Sequence, residues 1–399
     1  MKDKNVIVGV TGGIACYKAA ELVRMLVKAG ASTRVAMTKN ATRFVAPLTF
    51  ETLSGNRVVW DMFHQATSPM DHISWGQETD LIIIAPATAN FIGKMAHGIC
   101  DDFLSTMVLA ATAKILICPA MNSRMFENPA VQENIERLRQ GNHSLMAPGE
   151  GQLACGYEGP GRLPEPEDIL EEATRLLQDK DLEGMKFLIT AGPTVEPMDP
   201  VRYMTNRSSG KMGFALARAA SRRGADVTLV SGPTPVKPPH HVNFCPVTTT
   251  EEMREKVLKH SKESDVIIKA AAVLDYRPQQ RADHKIKKRD GIPALQLEPT
   301  PDILAELGAM KEDSSWVLVG FAAETDDLLL NAREKLEQKN LDMIVANDVS
   351  REDAGFESEN NRVKIIHRDG KIEDIPLMSK DDVADHVLNR VKDIWQKAF

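Results

Sequence analysis

The chain has 399 residues, 43% of them hydrophobic and 26% charged, with Lys+Arg 49 against Asp+Glu 56 and a formal net charge of -7. That length suits two domains, and so ordinary a composition excludes collagen, coiled coil and global disorder. The acidic balance gives no overall field for nucleic acid or an anionic membrane surface, so neither is expected as a partner.

In chain order, residues 1–5 are polar and the apolar run 6–10 is too short for a secretory leader. A strand over 5–10 meets the turn Thr11-Gly12-Gly13, and a helix follows over 15–29 with Leu22, Met25, Leu26 and Ala29 on one face. Gly30 stops it, and a strand returns over 33–37. Buried strands fit 81–85 and 114–118. The stretch 81–89, broken by Pro86, falls well short of the ~20 residues of a membrane span. The charged segment 178–184 reads as a linker. The pattern then repeats: a strand over 186–190, a long loop to Ser209-Gly210-Lys211-Met212-Gly213, a helix through 215–222, Gly224, and a strand over 226–230. Further strands fit 266–270, 316–319 and 343–346. Helical period between short buried strands means βαβ units and a parallel sheet. Two such openings half a chain apart predict an α/β protein of two doubly wound, Rossmann-like domains, 1–180 and 181–399.

The chemistry-bearing residues fall beyond the carboxyl ends of these strands, where open α/β sheets bind ligands. Thr11-Gly12-Gly13-Ile14 is neither a G-x-G-x-x-G fingerprint nor a Walker A loop, so it points away from NAD; it is either a phosphate cradle at a helix start or simply a tight turn. His72 is a structural histidine or a base. Asn122 is a loop cap or a donor to a carboxylate or flavin edge. Cys155 sits in the Gly-rich loop 149–162, suited to a lid, where a thiol can move a proton; Cys118 reads as core. The five cysteines form no C-x-x-C pair, so disulfides and zinc are not indicated and a cytoplasmic setting is expected. In the second half, Lys285-Ile286-Lys287-Lys288-Arg289 is a solvated face or, beside Asp275, a grip for a triphosphate and its divalent metal. Lys335 and Lys339 are i,i+4 on a predicted helix. Asn206 precedes a donor-rich helix start, a cradle for carboxylate or phosphate.

These segments together resemble the bacterial bifunctional flavoproteins of coenzyme A biosynthesis, in which a phosphopantothenoylcysteine decarboxylase is fused to a phosphopantothenate–cysteine ligase. The likeness rests on Gly12-Gly13-Ile14, Asp71-His72-Ile73, Pro86-Ala87-Thr88-Ala89-Asn90, Pro119-Ala120-Met121-Asn122 and Ala154-Cys155-Gly156 in the first half. In the second it rests on Thr190-Ala191-Gly192-Pro193-Thr194, Asn206-x-Ser208-Ser209-Gly210-Lys211-Met212-Gly213, Asp275-Tyr276-Arg277, Lys285-Ile286-Lys287-Lys288, Gly320-Phe321-Ala322-Ala323-Glu324-Thr325 and Ala346-Asn347-Asp348.

The resemblance implies FMN in the first domain, between subunits of a trimer, contacted by Gly12, Gly13, Ile14, Thr38, Phe44, Pro86, Ala87, Thr88, Asn90, Ser105 and Met121. His72 would be the base, Asn122 the carboxylate holder and Cys155 the proton donor. In the second domain it implies CTP, with Mg2+ or Mn2+, activating 4'-phosphopantothenate for attack by cysteine. Ala271, Ala272, Val273, Asp275, Lys285, Pro301, Asp302, Ile303, Leu304, Phe321, Lys335 and Lys339 would bind CTP. Lys285 would neutralise the departing pyrophosphate and Asn206 orient the acyl group. It further implies a homo-oligomer, decarboxylase trimers joined by ligase dimers into a dodecamer.

Two segments depart from the family pattern: Phe126 stands where Trp or Tyr is expected, and Pro299-Thr300 where Lys-Asn is expected. The second departure makes a decarboxylase with a silent ligase the nearest rival, ahead of a non-enzymatic flavin-binding regulator. The presence of His72, Asn122 and Cys155 argues against the regulator.

Overall fold

The computed structural model describes all residues except 64–69, 142, 153–157, 288–294, 312–315, 325–327, 349–357 and 399. The chain divides into two compact units, Met1–Gln178 and Asp179–Phe399.

The first unit runs β1 (Asn5–Val10), α1 (Cys16–Lys28), β2 (Ser32–Met37), α2 (Pro47–Ser54), α3 (Asp71–Gln77), β3 (Leu81–Ala87), α4 (Ala89–His97), α5 (Phe103–Ala110), β4 (Lys114–Pro119), α6 (Ser123–Phe126), α7 (Pro129–Gln140), β5 (Ser144–Leu145), β6 (Gly149–Gln152), β7 (Glu158–Arg162) and α8 (Pro166–Leu177). Five strands form a parallel sheet in the order β2-β1-β3-β4-β5. Residues 81–84 of β3 read Leu-Ile-Ile-Ile and every one is fully buried, as expected of a central parallel strand covered on both faces. Two apolar layers result. Leu22, Leu26 and Phe50 pack on one face, while Phe91, Phe103 and Ile135 pack on the other.

The second unit runs β8 (Lys186–Ala191), β9 (Val195–Pro197), β10 (Tyr203–Thr205), α9 (Lys211–Arg222), β11 (Asp226–Ser231), β12 (Asn243–Pro246), α10 (Thr250–Ser261), β13 (Val266–Lys269), β14 (Tyr276–Pro278), β15 (Leu297–Pro299), α11 (Ile303–Met310), β16 (Val317–Glu324), α12 (Leu328–Gln338), β17 (Met343–Asp348), β18 (Asn360–His367), β19 (Ile372–Ser379) and α13 (Lys380–Ala398). Its sheet has the order β12-β11-β8-β13-β16-β17-β18-β19. It is parallel as far as β17 and antiparallel through β18 and β19. Both sheets reverse direction of winding beside their first strand, which opens a crevice at the carboxyl edge.

Three features differ from the sequence expectation. Residues 179–184 are not a free linker: Leu182 is fully buried and Asp181 pairs with Arg223 at 2.7 Å and Lys392 at 2.9 Å, so the segment belongs to the second unit. Helix α9 starts at Lys211 rather than 215. Gly210 takes the left-handed φ of 74° just before it, and Gly213 lies inside the first turn because a Cβ there would stand 2.5 Å from the Ala191 Cβ. That glycine serves close helix–strand packing, not a loop. The hairpin β18–β19 and α13 lie beyond the last element read from the sequence. Among the described residues no helix is long and apolar enough to cross a membrane.

Candidate functional site

Each unit carries a cleft at the carboxyl edge of its sheet. In the first, a cavity of about 960 Å³ opens above β1, β3 and β4. Its base is set by Thr11. The buried Oγ1 donates to the Pro86 carbonyl at 2.7 Å and accepts from the Thr88 N–H at 3.0 Å, tying the turns after β1 and β3 together. Gly12 then approaches the 38–41 segment so closely that a Cβ would stand 2.5 Å from the Asn40 Cβ and 3.0 Å from its carbonyl carbon. Of the residues named from the sequence, Gly12, Gly13, Ile14, Thr38, Thr88, Asn90, Met121 and Asn122 line this cleft. Ile14, Tyr17 and Met125 give it an exposed apolar lip.

Asn122 is the N-cap of α6, its Oδ1 accepting from the Arg124 N–H at 2.9 Å. The loop-cap reading of this residue therefore holds, and the same Asn lines the cleft. Beside it the Met121 N–H donates to the Gly161 carbonyl at 2.9 Å. Gly161, at φ 133°, has its Cα packed on the Met121 carbonyl. The hairpin β6–β7, whose connection carries Cys155, is thus stitched to the Asn122 loop; Cys155 itself lies outside the described residues.

The other named residues stand elsewhere. Pro86 and Ala87 form the buried end of β3. Phe44 is exposed and does not line the cleft. Ser105 is buried in a capping box with Asp102 at the start of α5 and borders a smaller cavity of about 330 Å³ near Cys100 and His143. His72 occupies the first turn of α3, half-buried and not among the residues lining the large cleft. Cys118 is fully buried, and burial pushes its thiol pKa far up, so it is inert core.

In the second unit a cavity of about 620 Å³ spans the ends of β13, β16 and β17. It gathers Asn206, Ala271, Ala272, Val273, Asp275, Pro301, Asp302, Ile303, Leu304, Phe321, Lys335 and Lys339. Hydrogen bonds fix its walls. The Asn206 Nδ2 donates to the Val273 carbonyl at 3.0 Å, the Ala271 N–H donates to Thr190 Oγ1 at 3.1 Å, and the Leu274 N–H donates to Thr194 Oγ1 at 3.0 Å. Asp302 caps α11 through the Ala305 N–H at 3.0 Å and pairs with Lys339 at 2.8 Å. Lys285 is exposed and does not line the cavity. Its loop is tethered through Ile286, whose N–H donates to Asp199 Oδ2 at 3.1 Å and whose carbonyl accepts from Arg202.

The buried polar cleft residues Lys269, Asn361 and Lys380 went unnamed in the sequence reading. A charge closing the apolar run Val266-Ile267-Ile268 was the available signal for Lys269. Asn361 and Lys380 come from β18 and the start of α13, which were not read. Among the described residues no group of three or more His, Cys, Asp or Glu is placed to hold a metal ion.

Comparison with known proteins agrees with this division. Residues 1–178 match the Flavoprotein family model, and residues 182–394 match that of the DNA/pantothenate metabolism flavoprotein C-terminal domain. The coenzyme A biosynthesis bifunctional protein CoaBC of Bacillus subtilis is 50% identical over 396 residues, covering 98% of this chain and 97% of that protein. The protein of the same name from Vibrio cholerae is 45% identical over 394 residues, covering 98% of each. A crystal structure of the C-terminal domain of a CoaBC protein shares 43% identity, covering 55% of this chain and all of that one, with a TM-score of 0.48. With both family models matched in order and identity sustained along nearly its whole length, the chain belongs to the bifunctional enzymes of coenzyme A biosynthesis.

Proposed function

We propose that this chain joins cysteine to 4'-phosphopantothenate at the expense of CTP and then decarboxylates the resulting phosphopantothenoylcysteine to 4'-phosphopantetheine. The observation that carries this reading is the pair of separate clefts, one per unit, each at the carboxyl edge of a doubly wound sheet.

The first cleft suits FMN. Gly12 lets the turn after β1 close on the 38–41 segment, where a side chain would collide with Asn40, backbone N–H groups at the start of α1 favour a phosphate, and Ile14, Met121 and Met125 offer apolar surface to a flavin ring. When bound, FMN supplies the reversible two-electron acceptor that takes the substrate's CH2–SH group to a thioaldehyde and later returns the electrons. This chain's residues do the remainder. Asn122 holds the carboxylate, whose loss as carbon dioxide leaves its electron pair in an ene-thiolate conjugated to sulfur. Cys155 donates the proton that completes the saturated product. His72, on α3 outside the cleft, serves as base for the cleft of a neighbouring copy, which requires a trimer of first units.

In the second cleft, CTP and the carboxylate of 4'-phosphopantothenate form an acyl-cytidylate and pyrophosphate, and the amine of cysteine displaces CMP. Asn206 braces the 271–273 loop against which the acyl group lies, and Lys285 closes over the departing pyrophosphate. Magnesium or manganese would travel on the phosphates of CTP. Dimers of second units and trimers of first units together would build the dodecamer.

The test is to mix purified protein with 4'-phosphopantothenate, cysteine, CTP and magnesium and to weigh the products by mass spectrometry. Phosphopantetheine, CMP and pyrophosphate are expected. Failure to form the amide would leave the ligase silent, and supplying phosphopantothenoylcysteine directly would then separate a lone decarboxylase from a flavin-binding regulator.

A further inference from the structure

Lys269 ends β13 on the sheet face covered by α10 and α11, 7% exposed yet lining the second cleft. Its register partners are Gly320 on β16, which brings no side chain, and Thr190 on β8, whose hydroxyl already accepts from the Ala271 N–H. Among the described residues its Nζ meets one hydrogen-bonding partner, the Met253 thioether at 3.8 Å, and no carboxylate at ion-pair distance. Burial lowers its pKa to about 7, opposed by the Asp302 carboxylate and reinforced by the Lys339 ammonium. A buried amine with so weak an acceptor is a donor that lacks its partner.

The two ends of the cleft differ in kind. On the opposite face, α9 begins after Gly210 with no side-chain cap, flanked in the cleft by Lys211, which pairs with Glu359, and Lys380, which donates to the Ser358 carbonyl. That end draws anions. The N-terminus of α11 is already satisfied by Asp302, which also neutralises Lys339. What remains there is a donor, Lys269, next to an acceptor, Asp302: a polar edge rather than an anion site.

Taking the second cleft as the nucleotide site proposed above, we infer that Lys269 is a specificity-determining residue that donates to the ring acceptor of the nucleobase while Asp302 accepts from the exocyclic amine beside it. Cytosine presents an amine next to a ring acceptor. Uracil presents a carbonyl next to an N–H, which would set like against like at both residues.

The experiment is calorimetric titration of CTP, UTP and inorganic tripolyphosphate, with magnesium, into the full chain and its Lys269→Met variant. Wild type is expected to prefer CTP. Lys269→Met is expected to lose CTP affinity ~10-fold, to narrow the CTP-to-UTP ratio, and to leave tripolyphosphate binding unchanged. Its melting temperature should not fall, since an apolar chain of similar length replaces a poorly partnered amine. As a second variant, Asp302→Asn keeps the helix cap but can present a donor, and should raise UTP relative to CTP. An unchanged CTP-to-UTP ratio in both variants would overturn the inference, as would tripolyphosphate weakening in step with CTP. A wild-type chain that binds no nucleotide would overturn the ligase reading itself.

Discussion

Gly308, in the middle of α11, lies against the backbone of Lys339: a Cβ added to it would stand 2.1 Å from the Lys339 carbonyl oxygen. The contact locks the end of α12 to α11 and so fixes the ammonium that meets Asp302. Alanine in a helix interior gains up to ~1 kcal/mol over glycine. Overlap with rigid backbone costs roughly 1–3 kcal/mol and wins here. Gly308→Ala is therefore expected to lower the melting temperature and to weaken CTP binding, read by thermal scanning with and without CTP. An unchanged or raised melting temperature would show that the two helices can part at no cost.

Gly12→Ala tests the first cleft in the same way. The new methyl would meet Asn40 at its Cβ and its carbonyl carbon, forcing the 38–41 segment outward. The unit should still fold, because its apolar layers lie beneath the turn. The purified variant should carry much less visible flavin absorbance than wild type, with decarboxylation lost in proportion. Full flavin content would remove Gly12 from the cradle.

Asn206→Asp replaces a donor facing the Val273 carbonyl at 3.0 Å with a second acceptor. Losing that bond and opposing two oxygens costs roughly 1–3 kcal/mol at the cleft wall, so CTP-dependent amide formation should fall roughly 5- to 150-fold. Decarboxylation of supplied phosphopantothenoylcysteine should be untouched, because that chemistry belongs to the other unit. Parallel loss of both activities would mean that the substitution unfolds the chain rather than disabling one site.

Glu373 gives the second unit a defined acid limit. The Arg390 guanidinium at 2.8 Å, with Lys371 at 2.9 Å and His367 at 3.0 Å, holds its carboxyl down to about 2 from an ordinary 4.5. A carboxyl depressed in the folded state contributes stability that is present above the unfolded value and lost as pH falls toward the folded one. The contribution, on the order of 2 kcal/mol, should thus be whole at pH 7 and fade between about 4.5 and 2. Urea unfolding at neutral and acid pH should show Glu373→Gln less stable at pH 7 and less sensitive to acid. Equal slopes in both proteins would remove this cluster as a source of acid lability.

The parallel sheets, their strand cores and the tight turn at Gly12-Gly13 were legible because short buried strands and helical faces are local patterns. The 271–273 loop was legible from the rule that ligands sit at the carboxyl edge and Asn206 from its donor-rich helix start, whereas 301–304 and 321 were named only through resemblance to the family. Other features depend on distance in space. That Gly213 belongs inside a helix is visible only when Ala191 is seen beneath it, and that 179–184 is packed rather than free requires Arg223 and Lys392, supplied from far along the chain. His72 and Ser105 looked equivalent to the other first-unit residues in sequence, yet they stand on helices away from the large cleft. Lys269 was passed over because a single lysine after an apolar run reads as a strand end, and only its burial makes it unusual.

The antiparallel hairpin β18–β19 and α13 bring Asn361 and Lys380 back to a cleft whose opposite wall is formed by 206–213. The second cleft is therefore written into the chain in pieces separated by well over a hundred residues. The residues lining the first cleft all fall between Thr11 and Leu163. Synthesis from the N-terminus thus yields a folded flavoprotein unit well before the ligase cleft can close. A ribosome that stalls late, or a protease that trims the far end, would separate the two activities in one direction, sparing the decarboxylase and silencing the ligase.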